Sequence, residues 1–432
     1  MPKETYAVEG QRLRESVITA IKKHTQSARD NLDLIAGENV SSPSVCLALA
    51  SDLVQRYTFH GFYDAYDEME ALISERFRTH LGAEYANIRP LTGNIANLVS
   101  YLALTNFNDH IMAVDMPHGG HESFAEWGAA GIAGLKVHPI PFKDDVIIDT
   151  DMLAQQAEAI RPSLVILGTT SFLFPHPVAE VVSIARENNI RVMYDAAHVF
   201  GLIVGGCFQN PIKNAVDIMT TSTHKTFPGP QGGIIFSKNA HSEKVHKIME
   251  EKFGNQHPNR IPALGIALAE MLAFGHEYAN QMILNAKALA QGLQENGLDV
   301  LFSDRGFTET HQVLLDVSQI GGGRICRDKL KRAGILSSCA PIPKDAGTTT
   351  ESGIRIGSTE PTRLGMKPSE MSEISVFIRR ALLEEQDPEK VRRQVVEFKG
   401  QFQKVHFCFD ELSEAYQEYF SAIVKGKIDS PA

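Results

Sequence analysis

The chain has 432 residues, 43% of them hydrophobic and 22% charged, with a formal net charge of -10. This is the composition of an ordinary globular protein, and the acidic balance argues against non-specific nucleic-acid binding. No apolar run reaches membrane-spanning length and Met1-Pro2-Lys3-Glu4 lacks a signal-peptide core. The cysteines, Cys46, Cys207, Cys326, Cys339 and Cys408, show no C-x-x-C spacing, so a cytoplasmic protein with free thiols is expected.

Leu13, Val17, Ile18 and Ile21, set between charged positions, predict an amphipathic helix over 11–28. Met69, Leu72, Ile73 and Phe77 predict another over 66–81. Pro90-Leu91-Thr92-Gly93-Asn94-Ile95-Ala96-Asn97 then opens a further helix, and a glycine turn with small polar residues at a helix start can hold a phosphate. The strand-like run Ile111–Asp115 leads into His118-Gly119-Gly120-His121, where no carboxylate or cysteine at ligand spacing completes a metal site. Leu164–Leu167 is a second buried run, followed by Gly168-Thr169-Thr170-Ser171. Short apolar runs alternating with helical stretches imply a parallel sheet covered on both faces, with ligand residues at the strands' C-terminal ends.

The stretch from Arg191 to Gly233 carries the chemistry. Val192-Met193-Tyr194 ends in Asp195, with His198 close behind, and a hydroxyl-rich run leads to Thr223-His224-Lys225 and Gly229-Pro230-Gln231-Gly232-Gly233. A lone lysine after a strand is usually solvated surface, and an Asp ending a strand is usually a cap or turn residue. Together they make the kit that pyridoxal phosphate requires: a lysine for its Schiff base and a carboxylate for its pyridinium nitrogen. The lysine attacks as a neutral amine, so it must sit where its charge is easily lost. Further on, a long helix over 262–296 ends at Asn296-Gly297, a strand covers Val313–Val317, and the chain from Asp387 is helical, charged and amphipathic.

These motifs resemble the serine hydroxymethyltransferase family. Asp195-Ala196-Ala197-His198-Val199-Phe200-Gly201-Leu202, the lysine block, Leu34-Ile35-Ala36-Gly37-Glu38-Asn39 and Ser352-Gly353-Ile354-Arg355-Ile356-Gly357 carry the likeness. The resemblance implies an α/β fold of the fold-type I, aspartate aminotransferase-like kind: a helical arm at 1–50, a large pyridoxal-phosphate domain at 51–290 and a smaller α+β domain at 291–432. It implies that Lys225 carries the cofactor, Asp195 holds the pyridinium, His121 stacks on the ring and His198 lies near the phenolic oxygen and the substrate. Thr92, Gly93, Asn94 and Thr223 fall on the cofactor-binding blocks, and Thr170 or Ser171 would reach the phenolic oxygen. Arg355 would grip the substrate carboxylate, and Tyr57 would serve a partner subunit's site, implying a homodimer or tetramer. His60, Glu38 and His224 are acid/base candidates without an order among them.

Departures cluster where the family handles folate. A tyrosine followed two residues later by a catalytic glutamate is the family pattern, whereas this chain reads Tyr57-Thr58-Phe59-His60-Gly61-Phe62-Tyr63. Glu122 replaces a pterin-lining leucine, Cys339-Ala340-Pro341 stands where a folate-contacting asparagine is expected, and Gly37 replaces a serine. Gly306-Phe307-Thr308 and Thr310-His311-Gln312-Val313 resemble instead the folate-independent L-threonine transaldolases. The expected activity makes or breaks the Cα–Cβ bond of β-hydroxy-α-amino acids, with small amino-acid and aldehyde substrates. The alternatives are a folate-dependent hydroxymethyltransferase and, more remotely, a non-catalytic pyridoxal-phosphate-binding protein.

Overall fold

The computed structural model describes residues 3–58 and 61–409. Lys3–Asp30 forms one 28-residue helix, α1. Its apolar residues Tyr6, Leu13, Val17 and Ile21 share one face yet remain 50% to 66% exposed. Leu32–Asp33 follows as the short strand β1.

Seven strands build the main sheet: β2 (Tyr85–Asn87), β3 (His110–Ala113), β4 (Lys136–Pro139), β5 (Leu164–Leu167), β6 (Arg191–Asp195), β7 (Ile218–Ser222) and β8 (Gly233–Ser237). Their order is β2-β8-β7-β6-β5-β3-β4. The five strands from β7 to β4 run parallel. β8 is antiparallel to both β7 and β2, so the sheet is mixed where a parallel one was expected. Between Ser222 and Gly233 there is no helix to carry the chain back across the sheet. It turns and pairs antiparallel instead, because a parallel return needs a crossover.

Each central strand is buried on both faces, which explains its near-continuous apolar run. Val165 and Leu167 point into the core on one side, with Tyr194, Met219 and Phe236. Leu164 and Ile166 point to the other, with Met193, Ile218 and Ile235.

A second sheet holds β9 (Asp299–Val300), β10 (Gln312–Asp316), β12 (Ser338–Ala340) and β13 (Gly353–Gly357) in the order β12-β13-β10-β9, while β11 (Ile335–Leu336) pairs in parallel with β1. Leu32 and Leu34 therefore belong to this second core, with Leu315, Ile335, Ile354 and Ile356. The helix Arg260–Glu295 joins the two regions without a break. Its first part, through Met282, packs in the main core, and Ala286 to Leu293 pack in the second.

After the helix Pro388–Gly400 the chain folds back onto this long helix. The Phe407 carbonyl accepts from the Arg363 guanidinium, which is fully buried against Glu270 at 2.6 Å. Among the described residues no helix is long and apolar enough to cross a membrane, and no group of three or more His, Cys, Asp or Glu could hold a metal ion.

Candidate active site

The C-terminal ends of β5, β6 and β7 and the start of the helix Gly93–Leu104 converge on a narrow cleft. It is lined by Gly93, Asn94, Asn97, His121, Phe124, Thr169, Thr170, Asp195, Ala197, His198, Ser222 and Lys225. Chain reversals at the ends of parallel strands leave such a crevice open to ligands.

Both oxygens of the Asp195 carboxylate are held. Oδ2 accepts from Asn97 Nδ2 at 2.8 Å and Oδ1 from the Ala197 amide at 2.9 Å. Asn97 is itself fixed, donating to Ser123 Oγ and accepting from Thr220 Oγ1 at 2.7 Å. His121 caps a short 3-10 turn, its Nδ1 accepting from the Ser123 amide at 3.1 Å. That bond leaves the proton of the neutral ring on Nε2. Burial lowers the His121 pKa, with Asp195 opposing and Lys225 reinforcing the shift.

Lys225 follows β7, and its carbonyl accepts from Asn39 Nδ2 at 2.7 Å, which ties the arm before residue 40 to the lysine loop. Burial lowers the lysine's pKa to about 8, against the pull of Asp195, and Arg355 adds to the fall. A lysine there sheds its proton far more readily than one in water. Arg355 lies mid-strand on β13, its Nη1 donating to the Thr170 carbonyl at 2.5 Å, and burial lowers its pKa to about 10. Gln312 on β10 donates to the same carbonyl at 3.1 Å, so the second sheet is latched to the cleft at Thr170.

Two glycines are required by close approach. A Cβ on Gly93 would lie 2.5 Å from Ser222 Oγ, so a side chain there would close the helix start against β7. A Cβ on Gly201 would lie 2.2 Å from the Thr226 carbonyl oxygen, where the segment after His198 crosses the lysine loop.

Several polar atoms buried around the cleft have no protein partner: Thr169 Oγ1, Thr170 Oγ1, His198 Nδ1, Gln312 Oε1 and Arg355 Nε. Orphaned buried groups on this scale are costly unless a polar ligand satisfies them. A carboxylate facing a ring position, a helix N-terminus for a phosphate and an easily deprotonated lysine suit pyridoxal phosphate. The residues present fit that group.

Other expected site residues lie elsewhere. Thr92 N-caps the helix through the Ile95 amide, and Thr223 Oγ1 donates to the Pro230 carbonyl at 2.6 Å. Ser171 packs beside Gly119 and is not among the cleft-lining residues. Glu38 is exposed and hydrogen-bonded to Asp33, whose pKa burial pushes up to about 8, with Glu360 and Glu38 adding to the rise. Tyr57 is 60% exposed and lines a separate, roomier cavity of about 440 Å³ with Arg89, Glu250 and residues 254–258. His60 lies outside the described residues. Sequence reasoning missed Asn97, Ser123, Ser222, His311 and Gln312; the available signal was Asn97, a polar residue inside the apolar run Ile95–Leu104.

Burial also lowers the pKa of His176 and His224 to about 4 and of His311 to about 3. Each value is below the ordinary 6.5, so the unfolded chain binds more protons between pH 6.5 and about 4 and acid destabilises the fold. Urea titrations of His176→Phe should show the acid loss across that window reduced by about 1.4 kcal/mol per pH unit relative to the parent. An unchanged slope would mean that His176 is protonated in the folded protein.

A family model described as serine hydroxymethyltransferase matches residues 11–378. Over 407 residues the chain is 41% identical to the serine hydroxymethyltransferase of Methanocella arvoryzae, covering 92% of this chain and 96% of that protein. To that of Archaeoglobus fulgidus it is 43% identical over 411 residues, covering 93% and 94%. A crystal structure of L-threonine transaldolase from Pseudomonas fluorescens in its internal aldimine state matches with a TM-score of 0.88 at 27% identity, covering 97% of this chain and 99% of that one. Among these relatives, identity is higher to the hydroxymethyltransferases than to the transaldolase.

Proposed function

Because the chain belongs to the serine hydroxymethyltransferase family, and is thus a pyridoxal-phosphate enzyme of fold type I, we propose that it makes and breaks the Cα–Cβ bond of β-hydroxy-α-amino acids without folate, as a threonine aldolase or transaldolase. When bound, pyridoxal phosphate draws electron density from the substrate's α-carbon.

In this reading the chain's own groups do the rest. Lys225 Nζ would hold the cofactor covalently, and as a free amine its lowered pKa lets it exchange a proton near neutral pH. Asp195, clamped by Asn97 and the Ala197 amide, would face the ring nitrogen. Gly93 and Asn94, at the helix start that Thr92 caps, would hold the phosphate, and His121 would stack on the ring. Arg355 takes the substrate carboxylate through donors that protein groups leave free. His224, neutral at pH 7 and with a buried Nδ1 that no protein group satisfies, accepts the β-hydroxyl proton as the bond breaks.

The observation that carries the folate-independent reading is the stretch Thr58-Phe59-His60-Gly61-Phe62, which has no carboxylate after Tyr57. A folate-dependent one-carbon transfer needs a proton donor there; aldol cleavage does not. The identities of 41% and 43% favour a second reading, folate-dependent serine hydroxymethyl transfer. L-threonine should release acetaldehyde at a rate that tetrahydrofolate leaves unchanged, measured by coupling to NADH oxidation. Saturable, tetrahydrofolate-dependent serine cleavage would decide for the second reading.

A homodimer or tetramer in the cytoplasm completes the proposal. The half-exposed stripe Tyr6, Leu13, Val17 and Ile21 on α1 suits burial against a second copy, and exposed Tyr57 suits service in that copy's site. Leu13→Asp with Val17→Asp should convert the assembly to monomers in light scattering. Retention of the parent mass would remove α1 from the interface.

A further inference from the structure

We propose that Tyr278 is a positioning residue for Lys225: it acts through the Asn39 amide, and the returning segment His406-Phe407 holds it in place. The role rests on Lys225 being the lysine that reacts, and it is the same for aldol cleavage and for folate-dependent transfer.

The Asn39 amide is fixed at both ends. Nδ2 donates to the Lys225 carbonyl at 2.7 Å and to Tyr278 Oη at 3.1 Å, and Oδ1 accepts from the Val40 amide at 2.8 Å. The Tyr278 hydroxyl in turn donates to the Thr359 carbonyl at 3.2 Å. Tyr278 is fully buried on the helix Arg260–Glu295, where a bare ring would fill the same space and a hydroxyl is costly unless it is bonded. Burial raises its pKa to about 12, so it stays a hydroxyl throughout the neutral range. Without that oxygen the Asn39 amide is free to turn away from the Lys225 carbonyl.

Tyr278 is itself held from the C-terminal side. Its ring lies 5.1 Å from that of Phe407 and 5.5 Å from the Arg363 guanidinium. Arg363 donates from Nη1 to the Phe407 carbonyl and from Nη2 to Glu270, both at 2.6 Å, and its own carbonyl accepts from the His406 amide at 2.7 Å. Phe407 has a φ of 58°, a left-handed conformation that a bulky L-residue keeps only where its surroundings impose it. Phe409 adds a second anchor, its ring 5.3 Å from that of Phe274, one turn before Tyr278 on the long helix. This segment follows residue 378, where the match to the family model ends. Support therefore runs from Phe407 to Tyr278, from Tyr278 to Asn39, and from Asn39 to the backbone of the reacting lysine. Packing alone would need neither the hydroxyl nor the left-handed turn.

The test uses the full chain with Tyr278→Phe, which keeps the ring, and Phe407→Ala, which removes the packing behind it. Loading of pyridoxal phosphate onto the cofactor-free protein is followed in the visible over a pH series centred on about 8, the pKa to which burial lowers Lys225. Asp195 and Arg355, the charged groups that act on Lys225, are untouched by either variant, and His121, His198, His224 and His311 around it are uncharged there. With the lysine loop released towards water, the midpoint of loading should rise by about half a pH unit in Tyr278→Phe. Its kcat should fall about tenfold at unchanged KM, for L-threonine or L-serine, whichever the parent cleaves. Phe407→Ala should move midpoint and kcat in the same directions. A parent-like midpoint and kcat in Tyr278→Phe would overturn the proposal, and so would failure of that variant to fold, which would make the hydroxyl a structural group. Loss of thermal stability alone in Phe407→Ala would overturn the part assigned to the C-terminal segment. A pyridoxyl group trapped by borohydride on a lysine other than Lys225 would defeat the assignment beneath the proposal, and it would do so in the parent, before any variant is compared.

Discussion

Lys225→Ala is expected to cut turnover by at least about a thousandfold, because removing a covalent catalyst removes a step that the remaining groups cannot replace. Borohydride reduction followed by peptide mass spectrometry should find a pyridoxyl group on Lys225 of the parent and on no lysine of the variant. A modified lysine elsewhere would reject the assignment. The same residue should leave a mark on the cofactor-free protein. Its folded pKa of about 8 lies below the ordinary 10.5, so the unfolded chain holds more protons between those values. Stability of the apo form should therefore rise with pH across that window and be lowest below it. The full shift corresponds to at most about 3 kcal/mol, reduced by solvent screening because the side chain is only partly buried. Lys225→Met should be more stable than the parent at pH 7 without cofactor, and should lose the rise above pH 8. Denaturant titration of both apo proteins decides the point.

Arg355→Lys and Arg355→Ala should both raise KM for the amino-acid substrate, with kcat/KM falling about 100-fold or more, while cofactor loading stays near the parent level. Lysine keeps the charge but not the planar fork, so it should recover little. Arg355 spends Nη1 on the Thr170 carbonyl, and its buried Nε has no protein partner. No carboxylate pairs with it among the described residues, so an incoming substrate carboxylate finds an uncompensated cation. A lysine variant with the parent's KM would show that Arg355 serves the Thr170 latch alone.

The residues with unusual chemistry were the legible ones. Lys225, Asp195, His121 and His198 stand at the ends of short apolar runs, and each reaches the cleft by that placement. Asn97 and Ser123 were not legible as site residues, because their importance comes from contacts with Asp195 and His121 that only the tertiary fold creates. His311 and Gln312 arrive from the second sheet, and no spacing in the chain says that β10 will dock at Thr170. The direction of β8 was hidden for a different reason. Ile234-Ile235-Phe236 reads the same in a parallel or an antiparallel strand, and only the absence of a helix between Ser222 and Gly233 separates the two. Glu38 has the right chemistry for an acid/base role, yet its side chain turns to Asp33 at the surface. Neighbours decided its place; residue type alone did not.

The pairing of β1 with β11 has a consequence for biogenesis. Leu32 and Asp33 find their partners at Ile335 and Leu336, so the N-terminal arm emerges from the ribosome long before the strand that receives it. Gly37 and Asn39, which border the reacting lysine, ride on that arm. The main core also waits for the helix Arg260–Glu295, whose first half closes it. A nascent chain can therefore lay down the strand that leads to Lys225 well before it can finish the walls around that residue, and the pocket is completed among the last steps of assembly. A stalled or prematurely terminated product would carry the lysine and the Asp195 carboxylate without the enclosure that makes them selective.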